Sequence, residues 1–241
     1  MREQARWSGP EAQRLARHPS LGSHAGIALG ATLVLFAIGY VAFALWPRQL
    51  SQAPSDAPSV PITVAGVVFD VPPAAIRQPV QRRSGAQERI DLAFLWPSLE
   101  PPDPAHPERH APSDEPLPID RLFMTIARSD STLPPVERMR VIYPRYLTAD
   151  AGEAEAEGLV VRHFGDATPY KGDDLVFDAA GPERMLARCS RTGATPGICM
   201  LERRIGAADI IVRFPRDWLT DWRHVAAKID KLIETLRPPG R

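Results

Sequence analysis

Residues Arg216–Leu236, RDWLTDWRHVAAKIDKLIETL, decide the fold class. Trp218, Trp222, Val225, Ile229, Leu232 and Leu236 recur at spacings of four and three, and Leu219, Ala226 and Ile233 widen the stripe. That period predicts one long amphipathic helix whose apolar face is broad enough for a sheet or core. Arg223, Lys228, Asp230, Lys231 and Glu234 fill the opposite face. A two-chain coiled coil is the other use of such a stripe. Three turns of heptad pattern are few for that, and two tryptophans suit a sheet face better.

Upstream of this helix the signals are those of strands. Ile90, Leu92 and Phe94 alternate with Asp91 and Ala93 within Arg89–Leu95, as in a half-buried strand. The run Ile62–Val71 is β-branched and reads as one strand, or as a tight pair around Gly66. Further strands are predicted at 119–128, 159–164, 174–177, 185–190, 198–205 and 209–214, with Pro215 ending the last. A short helix is predicted from Ser131-Thr132 and Pro134-Pro135 to near Tyr143. Residues 149–157 are acidic and alanine-rich and read as solvated. Strands followed by one terminal helix predict an α+β fold, an antiparallel sheet with the C-terminal amphipathic helix packed on it.

The two cysteines, Cys189 and Cys199, flank the turn-rich segment TGATPG. They are expected to face one another across a hairpin as a structural disulfide that locks its register. Nine intervening residues do not make a redox C-x-x-C pair, and two thiols without a neighbouring histidine make a poor metal cage.

Ala25–Trp46, AGIALGATLVLFAIGYVAFALW, runs 22 residues without a charge. That length spans a hydrocarbon core of about 30 Å. Arg2, Arg6, Arg14 and Arg17 precede it, and only Arg48 follows closely. The bias predicts a cytoplasmic N-terminus and a periplasmic C-terminal domain at a bacterial inner membrane, with Trp46 at the outer interface. A cleaved signal peptide is the rival reading, since Ala42-Phe43-Ala44 is a small-x-small site; the long leading segment and long run favour an uncleaved anchor. Gly26 and Gly30 lie one turn apart within the span and mark a face for helix–helix contact, hence for a homodimer.

The expected organisation is therefore a cytoplasmic tail (1–24), a transmembrane helix (25–46), a Pro-rich linker (47–61) and an α+β domain (62–238). Within that domain, residues 100–118 hold seven prolines and read as a mobile loop.

The uncharged run makes the lipid bilayer an expected partner. Net charge is zero, from 29 basic and 29 acidic residues, so nucleic acid is not expected. No nucleophile elbow, zincin helix, Walker loop or dinucleotide glycine pattern is present, and no cofactor, metal or catalytic residue is expected. His106 and His110 have a metal-ligand spacing, but Pro107 lies between them. His163 and His224 read as packed or rim histidines. Asp173, Asp174 and Asp178 read as a turn entering a strand rather than a cation site. Arg82, Arg83 and Arg89 read as a solvated basic turn.

Ile76–Glu100 (IRQPVQRRSGAQERIDLAFLWPSLE) and Phe214–Val225 (FPRDWLTDWRHV) resemble an uncharacterised family of single-pass bacterial membrane proteins. The resemblance implies the same layout, a short cytoplasmic tail and a disulfide-bearing exported domain, and brings no activity with it. Two functional expectations follow. The first is a non-enzymatic envelope subunit that meets a periplasmic or inner-membrane protein partner, a layout like that of bitopic subunits of secretion or division machineries. The second is an envelope enzyme or ligand-binding domain with a site assembled from His163, His224, Asp173 and the Arg82-Arg83 pair.

Overall fold

The computed structural model describes residues 30, 32–41, 57–103, 119–130, 133–149, 152–154, 156–191, 193 and 196–238. Residues 1–50 and 51–241 form two separate units. In the first, residues 32–41 are helical (α1), and the large apolar side chains along it, among them Leu33, Leu35, Phe36 and Ile38, are exposed. Among the described residues no helix is long and apolar enough to cross a membrane. Half of the expected span, Gly26 included, lies outside the described residues.

The second unit has the expected α+β architecture. Strands β1 (Val60–Val64) and β2 (Val67–Val71) form a hairpin, the tight pair around Gly66. Its two-residue loop places Ala65 at φ 50° and Gly66 at φ 82°. Both loop positions of this turn type need the left-handed region, which glycine enters freely and alanine at a cost of about 1 kcal/mol. The hairpin begins at Val60, two residues ahead of the expected boundary at 62, because Val60 already pairs with Val71. Strand β3 (Gly85–Gln87), not anticipated, adds to β1 in parallel.

The main sheet has eight antiparallel strands. A hairpin of β4 (Arg89–Leu95) and β5 (Arg121–Arg128) borders β11 (Ala208–Pro215). From β11 a meander runs back through β10 (Ile198–Ile205), β9 (Leu186–Ser190), β8 (Asp173–Asp178), β7 (Leu159–His163) and β6 (Glu153–Ala154). The chain must therefore cross six strand spacings, about 29 Å, between β5 and β6. Helix α2 (Pro135–Val141) lies in this crossover. Residues 153–154, expected to be solvated, form the edge strand β6 against β7.

Alternation along each strand separates two cores. One face collects Leu92, Met124, Val212, Leu201 and Val176, with Ile62 and Phe69 of the first hairpin. The C-terminal helix covers this face with Trp222, Val225, Ala226, Ile229, Leu232 and Ile233, all buried as the stripe required. That helix, α3, spans Trp222–Thr235; Arg216–Asp221 wind as a 3-10 turn rather than as its first α turns. Its end is tied to the start of the domain, since the Asp70 amide donates to the Leu236 carbonyl at 2.8 Å. The opposite face is covered around α2, where Tyr143, Phe164, Leu175 and Leu186 form a smaller cluster.

The Cys189–Cys199 disulfide is formed. The two residues are register partners between β9 and β10, both fully buried, as the hairpin reading expected. Residues 104–118, the greater part of the predicted mobile loop, lie outside the described residues.

Candidate functional site

Among the described residues, strand β8 positions the most buried charge. Asp174 shares its face with Val176, so the alternation that sends Val176 into the α3-side core sends Asp174 inward as well. Its side chain is 2% exposed. It belongs to a row of register partners running across five strands: His163, Asp174, Cys189, Cys199 and Phe214. The disulfide thus sits beside the carboxylate and fixes the strands on which it rests.

Three donors converge on this carboxylate. His163 Nδ1 lies 2.7 Å from Oδ1, Arg191 Nε donates to Oδ1 at 2.9 Å, and Arg216 Nη1 donates to Oδ2 at 2.6 Å. The guanidinium groups are held in turn, Arg191 by the Phe164 carbonyl and Arg216 by the Ser190 carbonyl. Burial pushes the Asp174 carboxyl up, but the hydrogen bonds from His163, Arg191 and Arg216 outweigh it and hold it below the ordinary carboxylate range. An ionised carboxylate only accepts, so the geometry assigns the His163 proton to Nδ1.

An Asp–His pair is half of a general-base arrangement, but the other half is missing. Among the described residues no hydroxyl or thiol is hydrogen-bonded to the His163 imidazole; the Thr148 hydroxyl donates to the His163 backbone carbonyl instead. Both cysteines are oxidised to the disulfide. The hydroxyl of neighbouring Ser190 is engaged with the amide and carbonyl of Ile198. Two arginines also share the carboxylate, so its charge is committed to them as well as to the imidazole. The arrangement is a charge clamp joining β7, β8, the end of β9 and the start of the 3-10 turn.

The other residues singled out in the sequence do not converge. Asp173 faces the opposite side of β8 and pairs with Arg188 at 3.1 Å. Asp178 pairs with Arg184 at 2.5 Å. The three aspartates therefore do not form one cation site, and among the described residues no His/Cys/Asp/Glu group could hold a metal. Arg82 donates to the Ile76 carbonyl, and Arg89 is bound to Asp91. Asp91 also accepts from Thr125 and Gln81, and these bonds outweigh its burial and lower its carboxyl. His106 and His110 lie outside the described residues.

His224 belongs to a second feature. Its ring meets the edge of Trp96 at 5.7 Å, and Trp96 stacks on Trp218 with centroids 4.5 Å apart. Trp218 lies parallel to Phe214 at 6.1 Å. Together with Pro97, after a cis peptide bond, and with Asp217 and Asp221, the rings of Trp96, Trp218 and His224 line an open groove of about 200 Å³. The Trp96–Trp218 pairing was not legible in the sequence, where the two residues are far apart and belong to different elements.

No family model matches the chain, and no curated protein matches it in sequence. Solved structures are similar to it. One is Smlt3025, an immunity protein of the Stenotrophomonas maltophilia type IV secretion system, with a TM-score of 0.50 at 13% identity over 75% of this chain and 94% of that one. Another is FrpD, an iron-regulated outer membrane lipoprotein of Neisseria meningitidis, with a TM-score of 0.42 at 10% identity over 77% and 96%. The likeness to Smlt3025 is one of fold. It takes in the α+β domain, since it extends over three-quarters of this chain.

Proposed function

We propose that the chain is a non-enzymatic envelope subunit: residues 25–46 hold it in the inner membrane, the N-terminus is cytoplasmic, and the α+β domain meets a protein partner in the periplasm. The observation that carries the non-enzymatic part is the closed Asp174 clamp, a buried carboxylate shared by His163, Arg191 and Arg216 with no nucleophile attached. The anchor is supported by the uncharged run itself and by α1, whose Phe36 is 78% exposed in a helix apolar on every side. The disulfide suits an oxidising compartment. Membership of the uncharacterised single-pass family and a homodimer through Gly26 and Gly30 belong to the same reading.

The alternative, an enzyme or ligand-binding site assembled from His163, His224, Asp173 and Arg82-Arg83, has less support. His163 is bound to Asp174, Asp173 to Arg188, His224 packs on Trp96, and Arg82 is bound to the Ile76 carbonyl.

Two measurements test the proposal. In spheroplasts, added protease should degrade the domain while the N-terminal tail stays protected; the reverse pattern, or release of the chain by carbonate, refutes the anchor. Mild cross-linking in whole cells followed by purification should recover one partner in stoichiometric amount, and repeated recovery of the chain alone refutes the binding role.

A further inference from the structure

We infer that the groove between Trp96-Pro97 and the 3-10 turn Arg216–Asp221 is a docking site for an extended, proline-rich peptide segment carrying arginine. The inference deepens the binding reading above and rests on it for the partner's being a protein.

The first argument is shape. Trp96 and Trp218 are stacked in the groove wall, with His224 set edge-on against Trp96, and the buried Phe214 backs Trp218 from the core. Such a surface is rigid, so little side-chain entropy is lost when it is covered. At about 200 Å³ the groove is smaller than the 300–1,000 Å³ typical of small-molecule pockets, and it is open. It fits pyrrolidine rings presented in sequence better than a compact ligand.

The second argument is hydrogen bonding. The Trp222 indole donates to the Glu157 carbonyl. Among the described residues neither the Trp96 nor the Trp218 indole N–H has such an acceptor. A polyproline II segment has no internal hydrogen bonds, so its carbonyls are free to accept from indole donors while its rings pack against Pro97, His224 and the tryptophan edges that line the groove.

The third argument is charge. Asp217 and Asp221 stand exposed on the 3-10 side of the groove, and among the described residues neither has a basic partner. The lining holds no lysine or arginine among the described residues; Lys228 outside it is engaged with the Pro97 carbonyl at 3.1 Å. The fixed charge of the groove is thus acidic. An arginine can bind the carboxylates bidentately there while the prolines occupy the rings.

The test uses the full chain in detergent and fluorescence anisotropy of a labelled Pro-Pro-Arg-Pro-Pro-Arg peptide. Binding is expected, and the glutamate version of the peptide should bind roughly threefold to fivefold more weakly, the scale of exposed charge pairs. Trp218→Ala should weaken binding about tenfold or more, as for an aromatic anchor. Because Trp218 also packs on the core, the exposed pair Asp217→Lys with Asp221→Lys carries the test if W218A unfolds. It should reverse the preference between the two peptides. Equal binding by the parent and the charge-reversed chain overturns the inference. So does failure of either peptide to bind, or binding of an N-acetylglucosamine tetramer in their place. These results leave the wider reading standing if cross-linking still recovers a partner. Recovery of no partner by a chain that binds the peptide sinks the wider reading alone.

Discussion

Replacing Asp174 by asparagine tests whether the clamp holds the sheet together. The substitution keeps the shape and removes the charge that Arg216, Arg191 and His163 share. Breaking a buried ion pair by removing one partner costs about 3–5 kcal/mol, most of it the penalty of the charge left behind. Here the penalty is uneven. Arg191 and His163 are 41% and 34% exposed and can turn to water, whereas Arg216 is 18% exposed and cannot do so fully. The expected loss is therefore at the low end, about 3 kcal/mol. With a urea slope of about 2 kcal/mol/M, the midpoint of the tryptophan-fluorescence transition should fall by roughly 1.5 M in the oxidised chain.

The same reasoning fixes the pH dependence. The folded Asp174 carboxyl titrates below its ordinary 3.8, so its contribution is complete above that value and is lost as pH falls through the lower, folded one. The acid limb of the stability curve should flatten in Asp174→Asn, and what remains should include the share of Asp91, whose carboxyl is also lowered. A midpoint shift under about 0.5 M, or an unchanged acid limb, would refute the clamp as a source of stability. Pairing Asp174→Leu with Arg216→Met should recover part of the loss, because no buried charge is then stranded.

Converting both Cys189 and Cys199 to alanine opens a ten-residue loop and should cost about 3 kcal/mol on the chain-entropy account; identical urea midpoints for this variant and the oxidised parent would contradict it. Ile229→Ala removes a fully buried side chain from the stripe of α3. It should cost about 2–5 kcal/mol with an unchanged urea slope, and a loss below 1 kcal/mol would mean the helix is not seated on the sheet as described.

Elements that carry their own periodicity were legible from the sequence. The stripe of α3 gave its buried face residue by residue, the alternation of β4 gave Ile90, Leu92 and Phe94 as core, and the cysteine-bearing hairpin gave its register. What escaped was structure imposed by neighbours. Gly85-Ala86-Gln87 has no apolar alternation and becomes β3 only because β1 offers a free edge. Glu153-Ala154 becomes a strand only as the border of β7. Arg216–Asp221 has helical spacing yet winds as a 3-10 turn directly after Pro215 at the end of β11.

The clamp escaped for a related reason. His163, Arg191 and Arg216 lie 11, 17 and 42 residues from Asp174, distances that only the meander closes. Sequence reasoning weighed Asp173 for a site, yet it is Asp174 that shares the inward face with Val176. A charged residue on an inward-facing strand position was the signal available, since such a charge must find partners.

The bond between the Asp70 amide and the Leu236 carbonyl has a consequence for biogenesis. It fastens the first hairpin of the domain to the last turn of its last helix. The chain is made from the N-terminus, so the sheet face carrying Leu92, Met124 and Val212 cannot be covered until α3 has emerged. Closure of this core is therefore a late event in the synthesis of the domain. Until then its apolar strands are exposed and prone to association.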